Sequence, residues 1–235
     1  MKKVFLVLSI SLLALVGNAQ EKVYDIEGNA YDTVRIGNQI WFKQNLKTTK
    51  YNDGSPISFP GPKKGTDGEW YKTKAGAYAW HFDNIEYKDT IGALYNWFAA
   101  SSGKLCPVGW RVPTDKDWKT LADNLGGLEV AGKKIRSTLA KDRTTEEIEA
   151  DPITPYWMVS DLPTNESGFT ALPGGTRSYE GVYDGYYMSA YFWGSKSYSQ
   201  YYGWYVTTGF ASEDLKLGKT NKNTGMSVRC VKDVE

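Results

Sequence analysis

The chain has 235 residues, which at roughly 150 residues per domain allows one large domain or two small ones, and one is the expectation. Lys and Arg number 28 against 27 Asp and Glu, a formal net charge of +1, which excludes a nucleic-acid binder that works by neutralising phosphates. A 41% hydrophobic and 23% charged composition excludes a mainly disordered chain; the unusual figure is 14% aromatic, alongside 24 glycines.

Lys2 and Lys3 precede an apolar run over residues 4–16, and Gly17-Asn18-Ala19 follows with small residues where a signal peptidase reads. The run of about 13 residues is shorter than the ~20 that span a bilayer. Residues 1–19 are therefore expected to be a cleaved leader, and residues 20–235 one exported domain without a membrane span. Periplasm, cell surface and cell exterior remain open as destinations.

Thr33 to Ile36 alternate, Gly37-Asn38 is a turn pair, and Gln39 to Phe42 resume, which predicts an opening β-hairpin. Residues 52–68 carry Asp53-Gly54, Ser55-Pro56 and Pro60-Gly61-Pro62 and read as a long surface loop. Leu94, Trp97 and Phe98 stand at helical spacing and predict a helix over residues 91–100. A second helix begins at the N-cap Thr114, with Asp117 as capping acid and Trp118, Leu121, Ala122 and Leu125 on one face; Gly126 and Gly127 stop it. Residues 141–166 are charged, contain prolines at 152, 155 and 163, and read as irregular.

Beyond them the pattern turns to β. Residues 168–172 lead into Pro173-Gly174-Gly175, and Trp204, Val206, Thr208 and Phe210 alternate with Tyr205 and Thr207. A final strand over residues 226–231 puts Met226, Val228 and Cys230 on one face and Ser227 and Arg229 on the other. In an oxidising compartment Cys106 and Cys230 are expected to pair; two buried thiols or a metal pair are the alternatives. A metal site normally needs four ligands at short spacing, which two distant cysteines and one histidine do not offer.

Residues 34–46 (VRIGNQIWFKQNL), 92–100 (GALYNWFAA), 105–121 (LCPVGWRVPTDKDWKTL), 131–137 (AGKKIRS), 165–177 (NESGFTALPGGTR) and 225–233 (GMSVRCVKD) form an ordered set. This set resembles the Fibrobacter succinogenes major paralogous domain, an exported bacterial family, over nearly all of the mature chain. The blocks RVPTDKDW and SVRC are also remotely similar to signatures of formylglycine-generating-enzyme-like domains. That similarity implies a C-type-lectin-like α+β fold: two main helices, a twisted, mainly antiparallel sheet and long loops. It also implies the pairing of Cys106 with Cys230.

The chemistry-bearing inventory is thin. His81 is the only histidine, and its Trp80-His81-Phe82-Asp83 setting reads as a packed imidazole. The similarity implies reactive cysteines and copper for the enzymes of that group, but both cysteines here are taken by the expected pair. No cofactor is expected; calcium has no motif, although Asp161, Asn165 and Glu166 offer oxygen ligands. The tract over residues 185–205 (GYYMSAYFWGSKSYSQYYGWY) is about half aromatic and lacks Leu, Ile and Val. Phe192, Trp193 and Trp204 are assigned to the core. Tyr187, Tyr198, Tyr201 and Tyr202 are candidate ligand-binding residues, since Tyr offers an apolar face with a polar tip and few rotors to freeze. Arg177 is a candidate ligand donor or a loop brace. The expectation is a non-catalytic module that binds a glycan or a cell-surface protein; the alternative is a lectin-fold enzyme of the formylglycine-generating group, or a hydrolase using Asp151, Asp161 or Asp184.

Overall fold

The computed structural model describes residues 22–139, 143–158 and 163–234, so the expected leader and Asp161 lie outside the described residues. Among them no helix is long and apolar enough to cross a membrane. The architecture is α+β, and every named strand pair is antiparallel.

The chain opens with β1 (Val23–Tyr24) and β2 (Ala30–Tyr31), which pair with each other. The expected hairpin follows as β3 (Thr33–Ile36) and β4 (Gln39–Phe42), with Gly37 at φ 59° in the turn. Residues 52–68 are a long irregular excursion, as expected, and end at the short helix α1 (Glu69–Lys72).

The helix expected over residues 91–100 is only half present. Gly92 sits at φ 78°, and a side chain there would strike the Leu46 carbonyl oxygen at 2.8 Å. The chain therefore stays extended: Leu94–Tyr95 form β6, which pairs with β5 (Tyr78–Ala79). Asn96 then caps α2 (Trp97–Ala100) by accepting from the Ala99 backbone N–H at 3.0 Å. Strand pairing of Leu94–Tyr95, together with the Asn96 cap, overrode the apolar spacing.

Helix α3 (Asp115–Asn124) follows the sequence closely, with Thr114 and Asp117 forming a reciprocal capping box. Gly126 and Gly127, at φ 98° and 102°, end it and lead directly into α4 (Leu128–Ile135), the second substantial helix, which the double-glycine stop hides. The region read as irregular over residues 141–166 contains α5 (Thr145–Ala150), capped by Thr144 and Glu147 and burying no residue. Its helix comes from capping and acidic first-turn residues rather than from packing.

Residues 168–172 do not form the expected strand, because Thr170 adopts φ 60° and only Ala171 makes an isolated bridge, to Arg136. Strand β7 (Gly174–Arg177) starts where the turn was expected and pairs with β8 (Tyr183–Tyr186). The aromatic tract then supplies the main sheet, β9 (Ser189–Ser197) between β7's neighbourhood and β10 (Tyr202–Gly209), with β11 (Lys216–Asn221) on the far side of β10. The C-terminal strand β12 (Val231–Asp233) adds to β4.

Alternation along β9 sends its aromatics to two faces, and both are covered. Phe192 and Val206 pack with Trp41, Trp118, Leu121, Ile135 and Phe169. Trp193, one position on, packs with Tyr31, Phe42, Leu105, Val228 and the Cys106–Cys230 disulfide. Phe192 and Trp193 are thus core, while Trp204 is only half-buried because the β9/β10 register slips between Gly203 and Tyr205.

The last extended segment is buried on both of its faces. Met226, Val228 and Cys230 meet the core as expected, but Ser227 and Arg229 are also interior. Arg229 donates to the carbonyls of Phe42 (3.0 Å), Lys43, Phe169 (2.8 Å) and Thr170 (2.9 Å), and its Nε donates to Asn45 Oδ1 at 2.6 Å. Its guanidinium lies over the Phe169 ring at 4.7 Å.

Candidate functional site

The five sequence-derived candidates separate into two places. Tyr198, Tyr201 and Tyr202 stand at the β9–β10 hairpin tip and are exposed, Tyr201 most at 65%. Tyr187 and Arg177 lie outside that tip, Tyr187 just before β9 and Arg177 at the end of β7, where its backbone pairs with Gly225.

Arg177 is fully buried and cannot reach a ligand at the tip. Its Nη1 faces Asp83 at 3.2 Å, its Nη2 donates to the Gly61 carbonyl at 2.8 Å, and its plane lies over Trp70 at 4.6 Å. It braces the 52–68 excursion against β7. Tyr187, at φ 65°, stacks on Tyr156 at 4.3 Å and donates its hydroxyl to the Pro152 carbonyl at 2.6 Å. Both side chains are occupied by the fold.

His81 sits beside them in a ring of aromatics: Phe82 at 4.1 Å, Tyr186 at 4.5 Å, and Tyr87 and Tyr183 each at 5.3 Å. It is fully buried, and neither imidazole nitrogen has a hydrogen-bond partner. Burial lowers its pKa from about 6.5 to about 4. The neutral ring is the native form, so the unfolded chain takes up the extra proton between those values and stability falls as pH drops through that window. The full loss, complete near pH 4, is about 3 kcal/mol. Urea unfolding of His81→Phe at pH 4.5 and pH 7 should show the difference between the two pH values shrink by about 2 kcal/mol relative to the parent. An unchanged difference would mean the imidazole is not buried uncharged.

The other oxygen-bearing candidates are likewise engaged. Asn165 bonds Thr170 through both ends of its amide, and Glu166 faces Lys134 at 3.8 Å. Asp151 accepts from the Thr154 N–H at 3.1 Å and faces Arg143 at 3.4 Å. Asp184 is exposed on β8. Among the described residues no group of three or more His, Cys, Asp or Glu is placed to hold a metal ion.

At the hairpin tip a groove of about 230 Å³ opens beside Tyr201. Phe98 and Tyr201 provide its apolar walls; Gln200, Asn221 and Asn223 provide amides; Lys74 and Lys222 provide positive charge. The floor is rigid. Trp97 donates its indole N–H to the Gly194 carbonyl at 3.1 Å and lies so close to Gly203 that a side chain there would meet its ring at 2.3 Å. Lys222 donates its backbone N–H to the Tyr201 carbonyl at 3.0 Å, closing the tip onto the β11 end. Asn223 donates to the carbonyls of Thr73 (2.7 Å) and Trp70 (2.9 Å), which fixes the end of α1 at the groove. Tyr198 is held edge-on to Trp204 at 5.0 Å and accepts from Lys219 Nζ at 2.7 Å.

A larger depression of about 720 Å³ lies between Trp110, Ile40 and the C-terminal strand. Its arginine, Arg111, is consumed by Asp117 (2.5 Å) and Asp233 (2.8 Å), and its lysine, Lys232, lies over the Trp110 ring at 4.9 Å.

Of the tip residues, sequence reasoning found the tyrosines and missed Lys222, Asn223 and Phe98. The polar run Thr220-Asn221-Lys222-Asn223-Thr224 reads as a solvated turn, and nothing local reveals that it folds back on Tyr201. Residues 34–232 match the Fibrobacter succinogenes major domain. No match was found among curated proteins or among solved structures.

Proposed function

The chain belongs to the Fibrobacter succinogenes major domain family, and we propose that it is an exported, non-catalytic recognition module of lectin-like architecture that binds a glycan at the hairpin tip. The observation that carries this reading is Tyr201, a large aromatic left 65% exposed at the lip of a groove whose other walls are amides, an aromatic and two lysines. Flat apolar faces ringed by amide donors and acceptors suit a sugar, which offers C–H faces and hydroxyl edges. The disulfide accords with an oxidising destination. Engagement of His81 by aromatic rings and of both cysteines by each other supports a binding role over a catalytic one.

A glycan array run on the purified protein and on Tyr201→Ala tests the reading. The expected result is binding to at least one glycan by the parent and a tenfold or greater loss in the variant, with unchanged thermal unfolding, as for an exposed hot-spot aromatic. Phe98→Ala should weaken binding less, since that ring is partly buried. Binding only to protein surfaces, still dependent on Tyr201, would redirect the module to a protein partner; turnover of an arrayed glycan would overturn the non-catalytic role.

A further inference from the structure

Lys222 is nine-tenths buried, yet among the described residues it has no carboxylate partner. Its Nζ lies 4.1 Å from the centre of the Trp97 ring, a cation–π contact, and is not sealed from solvent. Most buried cations are paired, so a lysine stem packed away with its ammonium left at a groove marks a site for an outside anion. Lys74 adds a second positive charge at the same groove, and no Asp or Glu lines it. The side chain is also preorganised: its stem is buried and Trp97 is immobilised by the Gly194 carbonyl and by Gly203, so little rotamer freedom remains to be lost on binding.

We propose that this groove selects a carboxylate-bearing sugar of the uronate class, its carboxylate on the Lys222 ammonium and its ring face on Tyr201. The volume of about 230 Å³ is below the roughly 300–1,000 Å³ of drug-sized sites, which limits the occupant to about one ring. Asn221 and Gln200 stand around that ring as hydroxyl partners, while Asn223, its amide spent on the end of α1, holds the wall in place. Partial desolvation lowers the Lys222 pKa, and an arriving carboxylate restores the stabilisation that water no longer gives. This assignment rests on glycan binding at the tip, and its failure is separable from the failure of that reading.

The test is NMR titration of the full exported chain with D-glucuronate and with D-glucose, following the Trp97 indole N–H. The expected result is a shift saturating at least tenfold earlier for glucuronate, the size of one charge-assisted hydrogen bond. Lys222→Gln should abolish that preference, with thermal unfolding of the variant confirming an intact fold. Lys74→Gln, at an exposed position that folding does not need, should reduce the preference about twofold. Equal responses to the two sugars, or a preference that survives Lys222→Gln, would overturn the assignment while leaving glycan binding intact. A shift with poly-glutamate but with neither sugar would overturn both, in favour of an acidic polypeptide.

Discussion

Arg229→Leu should lower the free energy of unfolding by about 4 kcal/mol, measured by urea denaturation at pH 7. Arg229 is fully buried with no carboxylate in ion-pair range among the described residues, and five acceptors take its protons: four backbone carbonyls and the Asn45 amide oxygen. Burial pulls its pKa down to about 9, so it still carries charge at neutral pH. Two effects oppose each other in the substitution. Removing a desolvated cation is favourable, while abandoning five acceptors in a dry interior costs about 1–3 kcal/mol for each one that water cannot reach. The second wins because the carbonyls of Phe42, Lys43, Phe169 and Thr170 come from two separate segments whose buried acceptors the guanidinium satisfies together. Arg229→Lys should recover less than half of the loss, since an ammonium has three donors and no planar fork. A change below 1 kcal/mol would show that these carbonyls find other partners.

Replacing both Cys106 and Cys230 by alanine is expected to cost about 4–5 kcal/mol, because the bond closes a loop of about 125 residues in the unfolded chain. The pair joins the segment before α3 to the last core segment, with Cα atoms 5.9 Å apart and a sequence separation of 124. At about 2–4 °C per kcal/mol for a domain of this size, the melting temperature should fall by roughly 10–15 °C. Calorimetry of the parent with and without reductant measures the same quantity on an unmutated chain. A fall of under 5 °C would mean that the unfolded chain is already compact enough for the bridge to constrain little. Because Cys230 adjoins Arg229, the two substitutions should not add: once the segment at 229–230 has loosened, the second change acts on contacts already lost.

Much of what local chemistry decided was visible in the sequence, though the Thr144–Glu147 box that caps α5 was not read. The Thr114–Asp117 box, the Gly126–Gly127 stop and the hairpin around Gly37 are set by residues within four positions of one another, and each formed as expected. Where distant packing decided, the sequence misled. Leu94, Trp97 and Phe98 have helical spacing, yet Tyr95 is drawn into a bridge with Met226 and only four residues turn helical. Thr170 is held at positive φ by Asn165, which no alternation pattern of residues 168–172 reveals. The candidate site was half legible for the same reason. Tyr198, Tyr201 and Tyr202 declare themselves by composition, whereas Lys222 joins them only because β10 and β11 pair and return it to the tip. Arg136, Arg177 and Arg229 look like surface charges in sequence and are all fully buried.

The register slip between Gly203 and Tyr205 divides the aromatic tract into two jobs. Before it, a changed ring disturbs one side of the interior or the other, as Phe192 and Trp193 would. Beyond it, Ser199, Gln200, Tyr201 and Tyr202 lean on little except their own turn and the returning strand. Gln200, Tyr201 and Tyr202 can therefore be varied as a display surface while the Ser199 hydroxyl, which accepts the Tyr201 and Tyr202 backbone N–H groups, keeps the turn in place.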